Sequence, residues 1–456
     1  MKPGTRIQVM LAVLAAAALG GTGWALAGDD PVPYTTANTT REAFSQPLPQ
    51  LPPGLKDSFN RGRSLFRQNW VIAPARDEQV DGLGPFYNRI SCISCHSANG
   101  KGHAPDGPNE RASSLLVRLS VPGTDAHGGP RPHPVYGDQF KEGSIPGVPT
   151  PGRLSVSWRS HAVTLAGGEK VNLRAPVLGF HELAYGPLGP VQTSARIGPA
   201  VFGLGLLEAV PEQVLQDLAR ERKPDGVRGK RNRVYDAQGD RMITGRFGLK
   251  ANRGTLRDQI AGAMAGDLGI TSTIMPEQQC SPVQAACRLA AHGGLPELSD
   301  AQLDDLQTYL SYLSPPAARG GERVDVRRGE QVFKTAGCAA CHRPQLPLGG
   351  HALLGELGGG SIAPYTDLLL HDMGPGLADG RPDYRAGGRE WRTPALWGAG
   401  LLRRMNERAG YLHDGRARDV QEAILWHGGE AGAARKRYVR LPPGERSALL
   451  AFINSL

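Results

Sequence analysis

Two stretches of the sequence share one pattern, because Cys92–His96 reads CISCH and Cys338–His342 reads CAACH. With 6 cysteines and 12 histidines among 456 residues, chance placement would produce this pattern only about 0.002 times. Neither a zinc site nor a redox-active dithiol needs a histidine directly after the second cysteine. Covalent haem attachment does, because two thiols add to the haem vinyl groups and the adjacent histidine binds the iron. The sequence therefore predicts two covalently bound c-type haems, held by Cys92, Cys95, His96, Cys338, Cys341 and His342.

The two remaining cysteines, Cys280 and Cys287, have no histidine at ligand spacing. In an oxidising compartment, two thiols this close in sequence most simply form a disulfide that closes a short loop. Two free thiols are the alternative. We expect the disulfide, because the N-terminus indicates export.

The N-terminus has the parts of a secretory signal. Residues 1–27 carry Lys2 and Arg6, then an apolar run too short to cross a bilayer comfortably, and end in Ala-Leu-Ala. We expect cleavage before Gly28 and a periplasmic protein with no stable membrane span, an uncleaved anchor being the alternative. The formal net charge is +9, and the dispersed basic residues favour acidic protein partners or membrane surfaces over nucleic acid.

The sequence around the two motifs repeats. Ahead of the first motif residues 61–67 read RGRSLFR, and ahead of the second residues 328–334 read RGEQVFK. After the first motif residues 199–207 read PAVFGLGLL, and after the second residues 394–402 read PALWGAGLL. This self-similarity indicates an internal duplication with one haem in each unit.

The repeat predicts the fold class. Short helices around a Cys-x-x-Cys-His motif, closing on an amphipathic helix, are typical of a cytochrome c domain. We therefore predict a mainly α chain with two cytochrome c-like domains in tandem, residues 56–317 and 318–456, after an N-terminal linker at 28–55. The first domain carries a large, partly β insertion at about 106–195, in which alternation around Gly167–Gly168 predicts a hairpin.

The segments that follow the repeated GLL differ at one telling position. Setting Phe247 against Tyr411 aligns them without a gap, and His427 then lies opposite Ala263. If this helix passes over the distal face of each haem, the second iron is six-coordinate and the first is open. Gln259 lies four residues before Ala263, so both would face the same way.

Longer stretches of the chain resemble a known family. They are RIGPAVFGLGLLEAVP at 196–211, EWRTPALWGAGL at 390–401 and YLHDGRARDVQEAILWHGGEA at 411–431. They are similar to the bacterial di-haem oxidoreductases, which are related to the di-haem cytochrome c peroxidases and to the enzyme that matures the tryptophylquinone of methylamine dehydrogenase. The resemblance covers nearly the whole mature chain.

The resemblance implies a peroxidase that reduces hydrogen peroxide at an open N-terminal haem, with electrons from a low-spin C-terminal haem and from a small redox protein such as a cytochrome c. It places the sixth ligand of the second haem at His427, with His371 and Met373 as competitors. It also places Gln259 at the distal glutamine of the first haem. Asp267 lies near the position of the catalytic acid, although about two residues short of the expected spacing.

Besides the spacing of Asp267, two further departures from the family pattern matter. Relatives tend to have a tryptophan where Leu249 stands, so an aromatic electron relay there is not expected. The acidic stretch of the family appears at 222–232 as RKPDGVRGKRN, in which bases replace most carboxylates, and we expect no calcium there.

Other functions remain open at this point. A two-haem electron carrier without substrate chemistry would need His103, His161 or His181 at the sixth position of the first haem. A di-haem oxidase acting on oxygen or on a protein side chain would keep the open iron and change the substrate.

Overall fold

The computed structural model describes residues 33–356 and 360–456, so the predicted signal at 1–27 lies outside the described residues. The α-helices are α1 (Lys56–Arg67), α2 (Leu204–Glu208), α3 (Glu212–Arg220), α4 (Leu256–Ala263), α5 (Ala285–Arg288), α6 (Asp300–Tyr312), α7 (Val324–Thr335), α8 (Leu402–Met405), α9 (Val420–Trp426), α10 (Gly432–Arg440) and α11 (Pro443–Ser455). Within this part of the chain, no helix has the length and apolar character needed to cross a membrane.

The strands form several small antiparallel sheets. They are β1 (Phe86–Tyr87), β2 (Leu115–Ser120), β3 (Gln139–Phe140), β4 (Gly143–Ser144), β5 (Arg153–Thr164), β6 (Lys170–His181), β7 (Gln192–Ile197), β8 (Arg233–Asp236), β9 (Arg241–Thr244), β10 (Leu346–Pro347), β11 (Gly350–His351), β12 (Gly355–Glu356), β13 (Ser361–Ile362), β14 (Leu370–Asp372) and β15 (Glu390–Arg392). One sheet has three strands in the order β3-β2-β7, and the two-stranded sheets are β1-β4, β5-β6, β8-β9, β10-β13, β11-β12 and β14-β15.

The prediction of a mainly α fold is wrong. Among the described residues, helices of all types make up only 30% and strands 19%, and 11 α-helices lie beside several small sheets. The longest strands lie in the predicted insertion, where β5 and β6 run for 12 residues each. The remaining ladders join loops rich in glycine and proline, residues that keep helices short. Short ladders of this kind leave little periodicity in the sequence.

The hairpin of β5 and β6 is confirmed, with its turn at Gly167–Gly168. Its tip lies against the second half of the chain, since Leu165 and Leu173 are buried in the same core cluster as α9 and α11. Arg446 in α11 also donates hydrogen bonds to the Ala166 carbonyl and the Glu169 carboxylate. The hairpin therefore braces the second unit although it is inserted in the first.

The duplication is visible in the helix packing. In the first unit, α1 crosses α6 so closely that a methyl group on Gly62 would overlap the carbonyl oxygen of Asp305. In the second unit, α7 crosses α11, and a methyl group on Gly329 would overlap the carbonyl oxygen of Ala448 in the same way. In each unit, the Cys-x-x-Cys-His motif follows the first helix of the pair in the sequence and precedes the second.

The two units meet through a reciprocal contact. Gly203 and Gly398, at matching positions of the repeat, both have left-handed backbones with φ of +70° and +73°. A side chain on Gly203 would meet the indole of Trp397, and one on Gly398 would meet the ring of Phe202. Each half thus receives the aromatic ring of the other, which joins the two sites in one packed body.

Candidate functional site

The first motif forms a tight turn that orients its histidine. Cys92–Ser94 is a single 3-10 turn, and the His96 amide donates to the carbonyl of Cys92 at 3.0 Å. The His96 Nδ1 lies 2.6 Å from the carbonyl oxygen of Pro199. Because a carbonyl can only accept, Nδ1 carries the proton and Nε2 keeps its lone pair. This is the tautomer that binds a metal through Nε2.

The second motif repeats this geometry. Cys338–Ala340 is again a 3-10 turn, and the His342 amide donates to the Cys338 carbonyl at 3.0 Å. The His342 Nδ1 lies 2.9 Å from the carbonyl oxygen of Tyr365, which again leaves Nε2 free. The four motif cysteines are free thiols. By contrast, the structure joins Cys280 to Cys287 in a disulfide with Cα atoms 5.8 Å apart.

A large cavity opens in front of the second motif. Its volume is about 280 Å³, whereas roughly 10–15 Å³ holds one water. Cys338, Cys341, His342 and His427 all line it, and most of the other lining side chains are aliphatic or aromatic. Burial lowers the pKa of His342 to about 4. The hydrogen bond to Tyr365 raises this pKa, and the nearby His427 lowers it, but burial is the largest effect. Two neutral imidazoles therefore share one apolar cavity.

His427 reaches this cavity because α9 ends just before it. Its backbone is extended, with ψ of 133°. Its Nδ1 lies 2.7 Å from the carbonyl oxygen of Ala423, so Nε2 keeps its lone pair, as in the two motif histidines. Burial lowers the pKa of His427 and keeps the ring neutral.

The competing ligands at this cavity differ in availability. His371 has both ring nitrogens occupied, Nδ1 at 2.7 Å from Glu430 and Nε2 at 3.0 Å from Asp367. Burial lowers its pKa, but the hydrogen bonds to Asp367, Cys341 and Glu430 outweigh burial and raise it to about 11. Met373 lines the cavity and forms no side-chain hydrogen bond within the described residues.

The segments that lead into α4 and α9 match in structure as well as in sequence. An isolated β-bridge joins Phe247 to Arg253 before α4, and another joins Tyr411 to Ala417 before α9. The helices then begin on equivalent caps. The side chain of Thr255 accepts a hydrogen bond from the third amide of α4, and that of Asp419 does the same in α9.

The two helices end differently. The first continues past Ala263 into a π-helical turn at Met264–Leu268 that carries Asp267. The Asp267 Oδ1 accepts a hydrogen bond from Gln139 at 2.8 Å. Burial, and then the negative charge of Asp267, raise the pKa of Cys92 and Cys95 to about 12. The amide of Asn88, four residues before Cys92, also donates to the Asp267 carbonyl at 2.8 Å, so the structure brings Asp267 to the segment that leads into the first motif.

Gln259 is half-buried on α4, and its side chain forms no hydrogen bond within the described residues. Like Ala263 and Asp267, it is only partly buried, whereas most neighbouring residues of α4 and the π-helical turn are fully buried. The spacing of four residues puts these three on one side of the continuous helix.

Three cations at the second cavity have no carboxylate partner within the described residues. Burial lowers the pKa of Lys101 to about 8, although Asp414 opposes this shift, and burial lowers the pKa of Arg392 to about 10. In the part of the chain that the structure describes, the guanidinium of Arg392 donates only to the carbonyls of Gly248 and Thr393. In the same part of the chain, the Nε of Arg435 is buried and has no hydrogen-bond partner. An apolar cavity with unpaired cations on its wall fits a flat, apolar cofactor that carries carboxylates, as haem does.

The histidines of the electron-carrier alternative have other partners. The two ring nitrogens of His103 lie within 3.2 Å of the hydroxyls of Ser113 and Ser114. The Nε2 of His181 pairs with Ser155 at 2.8 Å. The ring of His161 stands edge-on to Trp426 of the second unit.

Sequence reasoning missed the buried charges behind the second motif. Lys223 pairs with Asp367 at 2.7 Å, and Asp367 in turn holds His371. Glu430 closes this chain and also accepts hydrogen bonds from the amides of Arg228 and Gly229. These residues come from three separate stretches of the chain, so no local pattern connects them.

A comparison with protein-family models matched residues 27–456 to the family described as "Di-haem oxidoreductase, putative peroxidase". No match was found among curated proteins or among solved structures.

Proposed function

Because the chain belongs to the di-haem oxidoreductase family, we propose that it is an exported peroxidase that reduces hydrogen peroxide at the first motif. The family supplies two haems and an oxidoreductase reaction. We assign each haem to one Cys-x-x-Cys-His motif, attached through the thiols of Cys92 and Cys95 or of Cys338 and Cys341. Supporting this, all four thiols are free, and both motif histidines present Nε2.

One observation carries the assignment of roles. At matching positions of two helices that begin on the same bridge and cap, the second half has His427, with a free Nε2 on the cavity, and the first half has Ala263. An imidazole can complete the coordination of an iron, whereas a methyl group cannot. We infer that the second site is closed for electron storage and that the first is left open for substrate.

The choice of His427 over its competitors has support of its own. Both nitrogens of His371 are held by carboxylates, so that ring has no lone pair to offer. The Nδ1 of His427 donates to a backbone carbonyl, and the Nδ1 of each motif histidine does the same to a carbonyl of its own. Met373 remains the runner-up.

When bound, the haems supply the redox chemistry, with an open iron at the first motif and an electron store at the second. Reduction of hydrogen peroxide to two waters consumes two electrons and two protons. We assign to the Asp267 carboxylate the transfer of a proton from one peroxide oxygen to the other, since it lies at the first motif. We assign to the Gln259 amide, on the same side of the helix, the orientation of the peroxide.

The partners of Arg392, Lys101 and Arg435 follow from the same proposal. We assign these cations to the carboxylates of the second haem, because they line its cavity and no carboxylate of the described residues pairs with them. A two-haem electron carrier is less well supported, since His103 and His181 pair with serines and His161 packs on the second unit.

The test is EPR of the purified protein, fully oxidised and half-reduced, beside steady-state peroxide turnover with a reduced cytochrome c. We expect the fully oxidised protein to show a low-spin ferric signal from the second haem, and His427→Ala should remove it. Half-reduction should silence that signal, because the second haem becomes ferrous, and should leave a high-spin ferric signal from the first haem. His292→Ala, at an exposed position, is the matched control and should change neither signal. If the low-spin signal of the oxidised protein survives His427→Ala unchanged, the ligand is another residue. If the oxidised protein and the haem that stays ferric after half-reduction show only low-spin signals, the peroxidase is excluded.

A further inference from the structure

The loop between α3 and β8 carries a concentration of positive charge. Residues 220–233 read RERKPDGVRGKRNR, with seven basic and two acidic side chains. Four of the bases are neutralised by carboxylates elsewhere in the protein: Lys223, Lys230, Arg231 and Arg233. The others, Arg220, Arg222 and Arg228, are exposed and form no ion pair within the described residues.

Helix α10 adds a second group of cations. It contains four basic residues and no acidic one. Lys436 and Arg440 are exposed, form no ion pair in the described part of the chain, and lie four residues apart on one helix face. Gly432 lies on the same face, where an added methyl group would meet no atom within 4 Å. The opposite side of α10 is covered, since Ala434 and Tyr438 line the second cavity. Lys436 and Arg440 therefore point into open solvent.

The basic loop and α10 meet at the second motif. Arg437 in α10 holds both oxygens of Asp225 in the loop, each at 2.6 Å. A side chain on Gly337, the residue before Cys338, would meet the Arg437 guanidinium and the Asp225 carboxylate. The two groups of cations thus flank the place where the chain leads into the second Cys-x-x-Cys-His motif.

Both carboxylates of the loop, and Glu430 beside it, are already paired. Asp225 is held by Arg437, and Glu221 lies 3.3 Å from Arg343. Glu430 is held by His371 and by backbone amides. What remains available to a partner is positive charge, beside the wall of the cavity that we assign to the electron-storing haem.

We propose that Arg222, Arg228, Lys436 and Arg440 form the docking surface of a small acidic redox protein that delivers electrons to the second haem. The inference rests on the proposed function, since it identifies the donor by charge and locates its site. Complementary charge steers such partners together and fixes their orientation, while weak contacts allow rapid release. A donor bound here lies beside Cys338, at the motif of the second haem.

The test is a binding titration by calorimetry on the resting di-haem protein, without peroxide. The probes are a small acidic cytochrome c, a small basic cytochrome c and phosphatidylglycerol vesicles, each at low and high ionic strength. We expect the acidic cytochrome to bind, with an affinity that falls as salt rises. Lys436→Glu with Arg440→Glu should weaken that binding at least about tenfold, because like charges then face each other. Arg222→Glu with Arg228→Glu should do the same from the loop side.

The matched control is Lys56→Glu with Arg67→Glu, which makes the same charge change at exposed positions of α1. An equal loss in this control means that only net charge matters and overturns the proposal. The proposal also fails if the basic cytochrome binds as well as the acidic one, or if vesicles bind and the acidic cytochrome does not. Because binding is read without turnover, this result stands apart from the peroxide assay of the proposed function.

Discussion

The two halves of the molecule share the same local structure up to the ends of α4 and α9, and they differ after those ends. The β-bridge, the N-cap and the register of α4 and α9 are shared. Then α9 stops at Trp426, and the extended backbone of His427 brings the imidazole to the cavity. In the first half the helix runs on past Ala263 as a π-helical turn.

That difference teaches how one scaffold can serve two purposes. In the roles that we propose, ending the helix supplies the imidazole of the second site, and extending it supplies the Asp267 carboxylate of the first. π-Helical turns inside α-helices are rare, and those that occur are frequently at functional sites. Under this proposal, the different ends of the helix separate electron storage from catalysis.

The largest expected effect comes from making the halves alike. Ala263→His should place an imidazole at the open position of the first haem and convert its high-spin EPR signal to a low-spin one. Peroxide turnover should fall at least about 100-fold, because the substrate then has no place beside Asp267. The control is Ala263→Val, which crowds the same space and cannot bind iron. If valine abolishes turnover to the same degree, crowding explains the loss and ligation does not.

The next effect concerns the buried ion pairs of His371 with Asp367 and Glu430 in the second half. His371→Gln should destabilise the protein by about 3–5 kcal/mol near pH 6, because it removes the buried cation that bridges two carboxylates. Among the described residues, Asp367 would keep Lys223 as its only cation, and Glu430 would keep only hydrogen bonds from backbone amides. The folded-state pKa of His371 is raised to about 11, whereas an unfolded histidine titrates near about 6.5. Its contribution is therefore complete below about pH 6.5 and is lost as pH rises through about 11.

Denaturant unfolding of the holoprotein at several pH values measures this contribution. The wild type should lose stability between about pH 7 and 11, and His371→Gln should lose less over that window. The Asp367 and Glu430 carboxyls have pKa values lowered to about 2, so their contribution is present above about pH 4.5 and is lost in acid. His292→Gln is the exposed control, and equal alkaline slopes in all three proteins would contradict the prediction.

These two predictions also mark what the sequence could and could not reveal. Three features are local patterns and could be predicted from the sequence. They are the C-x-x-C-H motifs, the gapless alignment of His427 with Ala263, and the hairpin at Gly167–Gly168. The partners of His371 could not be predicted, because Lys223, Asp367 and Glu430 meet only through tertiary folding.

The error in fold class has a similar cause. Helices near the motifs have clear periodicity, whereas ladders of two or three residues such as β14 and β15 have none. The docking of the β5-β6 hairpin on α11 was also beyond reach, since it depends on Arg446 meeting the hairpin turn. Membership of the family was predictable, because the stretches that carry it are long.

A smaller effect tests the extended end of the first helix. Asp267→Asn should lower peroxide turnover by about 100-fold, or about 2.7 kcal/mol of activation free energy, since an amide cannot transfer the proton. The low-spin EPR signal of the second haem should not change. Asp267→Glu, which keeps the acid, should recover part of the rate. If the Asp267→Asn variant and the wild type turn over peroxide at equal rates, another group transfers the proton.

The smallest effects test what the halves share. Gly62→Ala and Gly329→Ala should each destabilise the protein by about 1–3 kcal/mol, because the new methyl group overlaps a carbonyl oxygen of the crossing helix. Thermal unfolding of both variants and of the double variant measures this, with Gly432→Ala, in open space on α10, as the control. Equal and additive losses are what a duplicated helix crossing requires, since the two sites share no contact. A much smaller loss of stability at Gly62 would contradict this. It would mean that α6 can shift together with α1, to which the Arg61–Asp305 ion pair at 2.7 Å holds it. The two helix crossings would then be alike in sequence but not in rigidity.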